Sequence, residues 1–234
     1  MCSGLKKIKR VCIKIVKNKD KAIEDFTKLF NNKKGEKFDY AKHSVAPITA
    51  KKQACATVKD LKTDWIILGW QTDGVLNRKE YATLEVIDSL LGSGMSSRLF
   101  KNLRDRDGLA YQLGSQYSPH ILKGSFITYI GTNPENLDYA QKRMIEEVFR
   151  LKTEFVGSKE LQEAKDKLLG HYIIGQETNL DKATTIGWFE TSGRGYKFDD
   201  QYSQLINSVT ESDIIEVANK VFTNNYVLSV VKPQ

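Results

Sequence analysis

Apolar and polar positions alternate and cluster along this chain in a way that divides it into strands and helices. Val11, Ile13 and Ile15 alternate with Cys12 and Lys14, the two-residue period of a short half-buried strand. Asp20 then stands where it can cap a helix whose apolar face is Ile23, Phe26, Leu29 and Phe30. Residues 31–50 are polar, contain Gly35 and Pro47, and read as an extended connection. Gln53 to Val58 and Trp65 to Trp70 read as strands. In the second, both alternating sets are apolar, which predicts a central position in a sheet.

From Lys79 to Leu91 the period changes to that of a helix, with Tyr81, Leu84, Ile87 and Leu91 inward and Gly92 at its end. Ser96 or Ser97 can cap a following helix with Leu99, Phe100 and Leu103 on its apolar side, and Gly108 occupies the left-handed position beyond a stop near Asp107. Leu109 to Ser118 and Ser125 to Gly131 are the next strands. Asn133-Pro134 opens a helix striped by Leu137, Ala140, Met144, Val148 and Leu151. Another runs from Ser158 through Leu161, Ala164, Leu168 and Tyr172. Shorter helices are predicted over 181–191 and 211–222, and Tyr226 to Val231 is the last strand. Strands in hairpin-like pairs between runs of helices predict an α+β domain: a mostly antiparallel sheet with helices packed on one face. No linker interrupts residues 11–234, which read as one domain behind a basic segment, 1–10.

Composition narrows the function classes. With 40% hydrophobic and 28% charged residues the chain is ordinary for a globular protein, and no apolar run approaches the ~20 residues of a membrane helix. The basic start lacks a cleavage pattern, so the chain reads as cytoplasmic, with no membrane partner. Cys2, Cys12 and Cys55 are odd in number and have no metal-ligand spacing, which argues against a disulfide framework. The net charge of +7 is concentrated at the start, where residues 1–62 hold 17 basic against 6 acidic side chains. Those lysines lack interleaved aromatics and any nucleic-acid module, so they read as a solvated face or a surface for an acidic partner rather than as a nucleic-acid site.

The chemistry-bearing stretch is Gly92 to Ser118. It turns from helix to strand between Arg104 and Tyr111, placing a guanidinium and a phenol at one corner, both hydrogen-bond donors suited to a carbonyl or an oxyanion. Taken alone, an Arg in a last helical turn also complements the helix dipole, and a Tyr opening a strand is ordinary packing. His43, His120 and His171 have no partner histidine at H-x-x-E-H spacing, and no G-x-S-x-G elbow or Walker pair is present.

These motifs resemble the insulinase-like (pitrilysin-type) zinc peptidases, which include the mitochondrial processing peptidase subunits. The resemblance rests on Leu91-Gly92-Ser93-Gly94-Met95-Ser96-Ser97-Arg98-Leu99-Phe100, Leu103-Arg104 and Gly108-Leu109-Ala110-Tyr111, then Gly124-Ser125-Phe126 and Gly131 to Asn136. It continues through Glu160-Leu161, Ala164-Lys165 and Leu168-Leu169-Gly170 to Val227 to Val231, and does not reach residues 1–10. It implies the second, zinc-less domain of a two-domain unit, with the α+β fold already expected. Arg104 and Tyr111 would bind substrate beside the scissile bond, across from a partner chain or domain carrying H-x-x-E-H. Zinc would sit on that partner, this chain would hold no catalytic residue or metal of its own, and the substrate would be a peptide or protein. A second reading keeps the fold and drops the enzyme, leaving an interaction or structural protein.

Overall fold

The computed structural model describes residues 18–30 and 43–234. In chain order the elements are α1 (Lys19–Phe30), β1 (Lys52–Val58), β2 (Asp64–Asp73), α2 (Arg78–Leu91), a π-helix (Phe100–Arg106), β3 (Gln112–Ser118), β4 (Lys123–Thr132), α3 (Leu137–Arg150), α4 (Ser158–Ile174), α5 (Asn179–Thr191), α6 (Phe198–Asn207), α7 (Glu211–Val221) and β5 (Val227–Pro233). The expected strand at Val11 to Ile15 lies outside the described residues. The described residues divide into two compact units, one made of those before Val45 with Gly170–Gln204, the other of Val45–Leu169 with Leu205–Gln234.

The second unit holds a five-stranded sheet in the order β1-β5-β2-β4-β3. β2 lies at its centre, as the two apolar faces of Trp65 to Trp70 predict. It pairs antiparallel with β4, Trp70 opposite Phe126, and with β5, Leu68 opposite Leu228. β3 pairs antiparallel with β4, while β1 pairs parallel with β5, so the sheet is mixed. Pairing between the first and last strands of the unit needs no hairpin, which leaves either direction open.

One face of the sheet is buried under helices. Ile66, Leu68 and Trp70 of β2, Phe126 and Ile130 of β4, and Leu228 and Val230 of β5 are buried, together with Leu84, Ile87 and Leu91 of α2, Ala140, Met144 and Val148 of α3, and Ile214, Val217 and Val221 of α7. Each Val, Leu, Ile, Phe or Met among them contributes about 1.5–3 kcal/mol relative to exposure. Phe222, at the end of α7, meets Trp70 and Phe126 edge-on at 5.3 and 5.1 Å, and the Trp70 indole N–H donates to the Thr223 carbonyl at 2.9 Å. The opposite set on β2, from Trp65 to Asp73, is only half-buried.

In the first unit α1 opens at Asn18, whose side chain accepts from the Lys21 N–H at 3.2 Å, so Asp20 falls in the first turn instead of the cap. Around α5 and α6, Phe189 and Phe198 pack edge-on at 4.9 Å, Tyr172 stacks on Tyr202 at 4.0 Å, and the Tyr172 hydroxyl donates to Asp199 at 2.6 Å. Burial, reinforced by that carboxylate, pushes the Tyr172 phenol up. Helix α6 is absent from the expected order, although Phe198, Tyr202 and Ile206 recur every four residues and are all buried.

Candidate functional site

Two irregularities, one helical and one in the sheet, place Arg104 and Tyr111. The buried Ser97 caps the entering helix: its hydroxyl donates to the Gly94 carbonyl at 2.7 Å and accepts from the Phe100 N–H at 3.4 Å. One turn later the helix widens. The Asp107 N–H reaches back five residues to the Asn102 carbonyl at 3.1 Å, and the Leu109 N–H reaches the Leu103 carbonyl at 2.8 Å. Gly108, at φ +65°, then reverses the chain in the left-handed region that the sequence assigns to it.

The second irregularity is a bulge. The register sets Gln112 opposite Gly131, yet the Tyr111 N–H also reaches the Gly131 carbonyl at 3.1 Å, so two residues face one. The expected strand from Leu109 therefore begins at Gln112. Leu109 is still occupied with closing the helix, and its carbonyl accepts the Thr132 hydroxyl at 2.6 Å, which keeps it out of the ladder. Tyr111 emerges from this turn 68% exposed. The Arg104 guanidinium donates to the Tyr111 carbonyl at 3.2 Å and lies over the Phe100 ring, 4.9 Å from its centroid. The structure thus brings the two sequence-predicted residues together at an exposed corner. Of the five guanidinium N–H donors, that bond engages one.

A buried polar network lies behind the corner. Glu147 of α3 is fully buried, and its carboxylate accepts from the Asn102 amide at 2.9 Å, from Arg150 at 3.1 Å and from Arg143 at 3.3 Å. Arg143 also donates to Asp107 at 2.9 Å, and Arg106 to the other Asp107 oxygen at 2.9 Å. Burial alone would raise the Asp107 carboxyl, but the two arginines outweigh it and hold it below its ordinary value. Arg98, at the start of the helix, forms a fork on Glu160 of α4 at 2.7 and 2.8 Å. The far end of α2 abuts β3: Asp88 accepts the Ser115 hydroxyl, and Lys167 donates to the carbonyls of Ser89 and Ser93 at 2.6 Å. Asn102, Asp107, Arg143 and Glu147 are supporting residues that sequence reasoning missed. The contacts that join α3 to the π-helix span 36 to 45 positions, and no local pattern announces them.

Among the described residues no three His, Cys, Asp or Glu side chains are grouped to hold a metal ion, so the donors described do not fit zinc. His120 follows β3 and His171 lies in α4, both exposed. No described helix is long and apolar enough to cross a membrane.

The sequence and the fold have relatives among known proteins. The chain is 30% identical over 175 residues to an "uncharacterized zinc protease" of Rickettsia felis and 29% identical over 175 residues to the zinc protease YmxG of Bacillus subtilis, in each case covering 75% of this chain. It spans only 42% of the length of either relative. Among solved structures, a protease from Helicobacter pylori superposes with a TM-score of 0.78 at 22% identity, over 92% of this chain and 53% of that one. A peptidase M16 inactive domain from Pseudomonas fluorescens superposes with a TM-score of 0.72 at 18% identity, over 82% and 46% of the two chains. Residues 17–168 match the family described as the peptidase M16 inactive domain, and the chain belongs to that family.

Proposed function

We propose that this chain is the zinc-less half of an M16-type peptidase unit, and that it presents Arg104 and Tyr111 to a peptide held by a partner chain or domain carrying H-x-x-E-H and its zinc. The observation that supports this most is the pairing itself. An exposed phenol and an exposed guanidinium are held at one corner by a π-helix and a bulge, and irregularities of both kinds are frequent at functional sites.

In this reading the chain binds and orients. The Tyr111 hydroxyl donates to a substrate carbonyl near the scissile bond. Arg104, already bonded to the Tyr111 carbonyl, uses its remaining donors on the adjacent backbone or on oxyanion charge as it develops. Closure of a partner over the corner would exclude water and strengthen both interactions.

The test is peptide hydrolysis by the purified chain, by the H-x-x-E-H protein, and by their mixture. Turnover that requires the mixture supports the proposal. Zinc-dependent turnover by a clean preparation of this chain alone would refute it, and a stable complex with no turnover would replace it with a structural role.

A further inference from the structure

We propose that Glu147, acting through Asn102, is a positioning residue for Arg104 and Tyr111. The inference rests on the functional reading above and extends it to residues that do not touch substrate. It starts from a local cost. A π-helix has poorer packing and hydrogen-bond geometry than an α-helix and persists only where its surroundings impose it. Here the π-helix runs from Phe100 to Arg106, and the bond from the Asp107 N–H to the Asn102 carbonyl closes its last turn, with Arg104 lying between those two residues.

Both ends of that widened turn are tied to the same helix. At one end the Asn102 amide donates to Glu147 at 2.9 Å. At the other, Asp107 accepts from Arg143 at 2.9 Å, and Arg143 in turn donates to Glu147 at 3.3 Å. The side chains and the backbone bond therefore form a closed ring, Asn102 to Glu147 to Arg143 to Asp107 and back to Asn102. A fully buried carboxylate is a costly way to hold a fold together, since apolar residues of similar volume often serve as well. What a buried carboxylate supplies that a leucine cannot is direction: its two oxygens accept from donors at fixed angles. In this ring that direction sets the width of the turn. The width sets the rotation of Arg104 about the helix axis, and so whether its guanidinium meets the Tyr111 carbonyl.

Asn102→Ala isolates the effect, because Glu147 keeps its bonds to Arg143 and Arg150 and the fold keeps its buried ion network. The first measurement uses this chain alone, with its ten tyrosines replaced by 3-fluorotyrosine and the Tyr111 fluorine resonance assigned by its loss in Tyr111→Phe. The expected result is that Asn102→Ala and Arg104→Ala each move the Tyr111 resonance, that the double variant moves it no further than Arg104→Ala, and that the core resonances of Tyr81 and Tyr117 stay in place. The second measurement is hydrolysis with the zinc-bearing partner, where Asn102→Ala is expected to lower kcat about tenfold or more with little change in KM. Glu147→Gln, which keeps an acceptor oxygen for Asn102, is expected to retain more activity than Glu147→Ala. An unmoved Tyr111 resonance in Asn102→Ala, or tyrosine resonances that all shift together, would overturn the proposal. Absence of turnover even for the wild-type mixture, with the fluorine coupling intact, would instead overturn the peptidase reading and leave the positioning ring standing.

Discussion

Gly92 closes α2 against β3, and its replacement by alanine tests how tightly the corner is built. A Cβ added at this position would lie 2.0 Å from the Ser115 amide nitrogen, 2.3 Å from the Ser115 hydroxyl and 2.6 Å from its Cβ. Ordinary van der Waals separation is about 3.5 Å, so the helix end and the strand would have to part by about 1.5 Å. The strand cannot give easily, because Ser115 is in the ladder opposite Thr128 of β4. The helix end is equally held, by the Asp88–Ser115 bond and by Lys167 on the Ser89 and Ser93 carbonyls. Overpacking of this kind costs ~1–3 kcal/mol, and a lost buried hydrogen bond adds about 1 more. The expected destabilisation is about 2–4 kcal/mol, a fall of roughly 4–16 °C in Tm at about 2–4 °C per kcal/mol for a chain of this size. Thermal melts and urea unfolding of Gly92→Ala read it directly. Gly94→Ala is the control: its φ of +76° makes the substitution strained, but nothing lies within 4 Å, so its cost is confined to backbone strain of about 1–2 kcal/mol. A Gly92→Ala protein that melts within a degree or two of wild type, or no lower than Gly94→Ala, would refute the close abutment of α2 and β3.

Further predictions concern the same unit. Burial raises the Asp88 carboxyl, against the opposing effects of the Ser115 hydroxyl, the Tyr117 N–H and the Lys167 charge. A carboxyl raised in the folded state binds its proton more tightly there than in the unfolded chain, so its contribution is present at acid pH and lost as pH rises through the folded value. Asp88→Asn is therefore expected to gain Tm relative to wild type near pH 7, with the gain shrinking as pH falls toward about 4; a difference that does not vary with pH would contradict this. Thr210 caps α7, accepting the Asp213 N–H at 3.2 Å while Asp213 accepts the Thr210 N–H at 2.8 Å. Thr210→Ala is expected to cost ~0.5–2 kcal/mol in urea unfolding, and an unchanged midpoint would count against the reciprocal cap.

How far the structure was legible in the sequence depends on the range of the interactions involved. Stripes and alternations report burial against one neighbour, and these were readable: the Leu137 to Leu151 stripe of α3, the two-faced apolar strand that became the centre of the sheet, and Gly108 at its left-handed turn. The family motif also drew attention to Arg104 and Tyr111, which the fold brings together. The widening of the helix was not legible, because Leu99, Phe100 and Leu103 satisfy an α-helical and a π-helical face equally over so short a run. Nor was the bulge at Tyr111, which depends on where Gly131 of another strand falls. The ring around Glu147 joins residues far apart in the chain and, in sequence, looks like the solvated charged side of α3. Helix α6 was overlooked for a different reason: Gly193 and Gly195, both at positive φ, mark a turn just before it, and its buried positions, Phe198, Tyr202 and Ile206, number only one per turn.

If this chain lends two donors to a reaction centred on another domain, as we propose, the kinetics of the reconstituted pair must depend on both. The measurement is kcat/KM for peptide hydrolysis by the zinc-bearing partner mixed with wild type, Arg104→Ala or Tyr111→Phe, alongside the affinity of each form for the partner. Loss of an oxyanion-type donor typically costs ~10²–10³ in rate. Each variant is therefore expected to bind the partner as wild type does and to lose about a hundredfold in kcat/KM. Variants that support hydrolysis as well as wild type would show that Arg104 and Tyr111 stand outside the reaction.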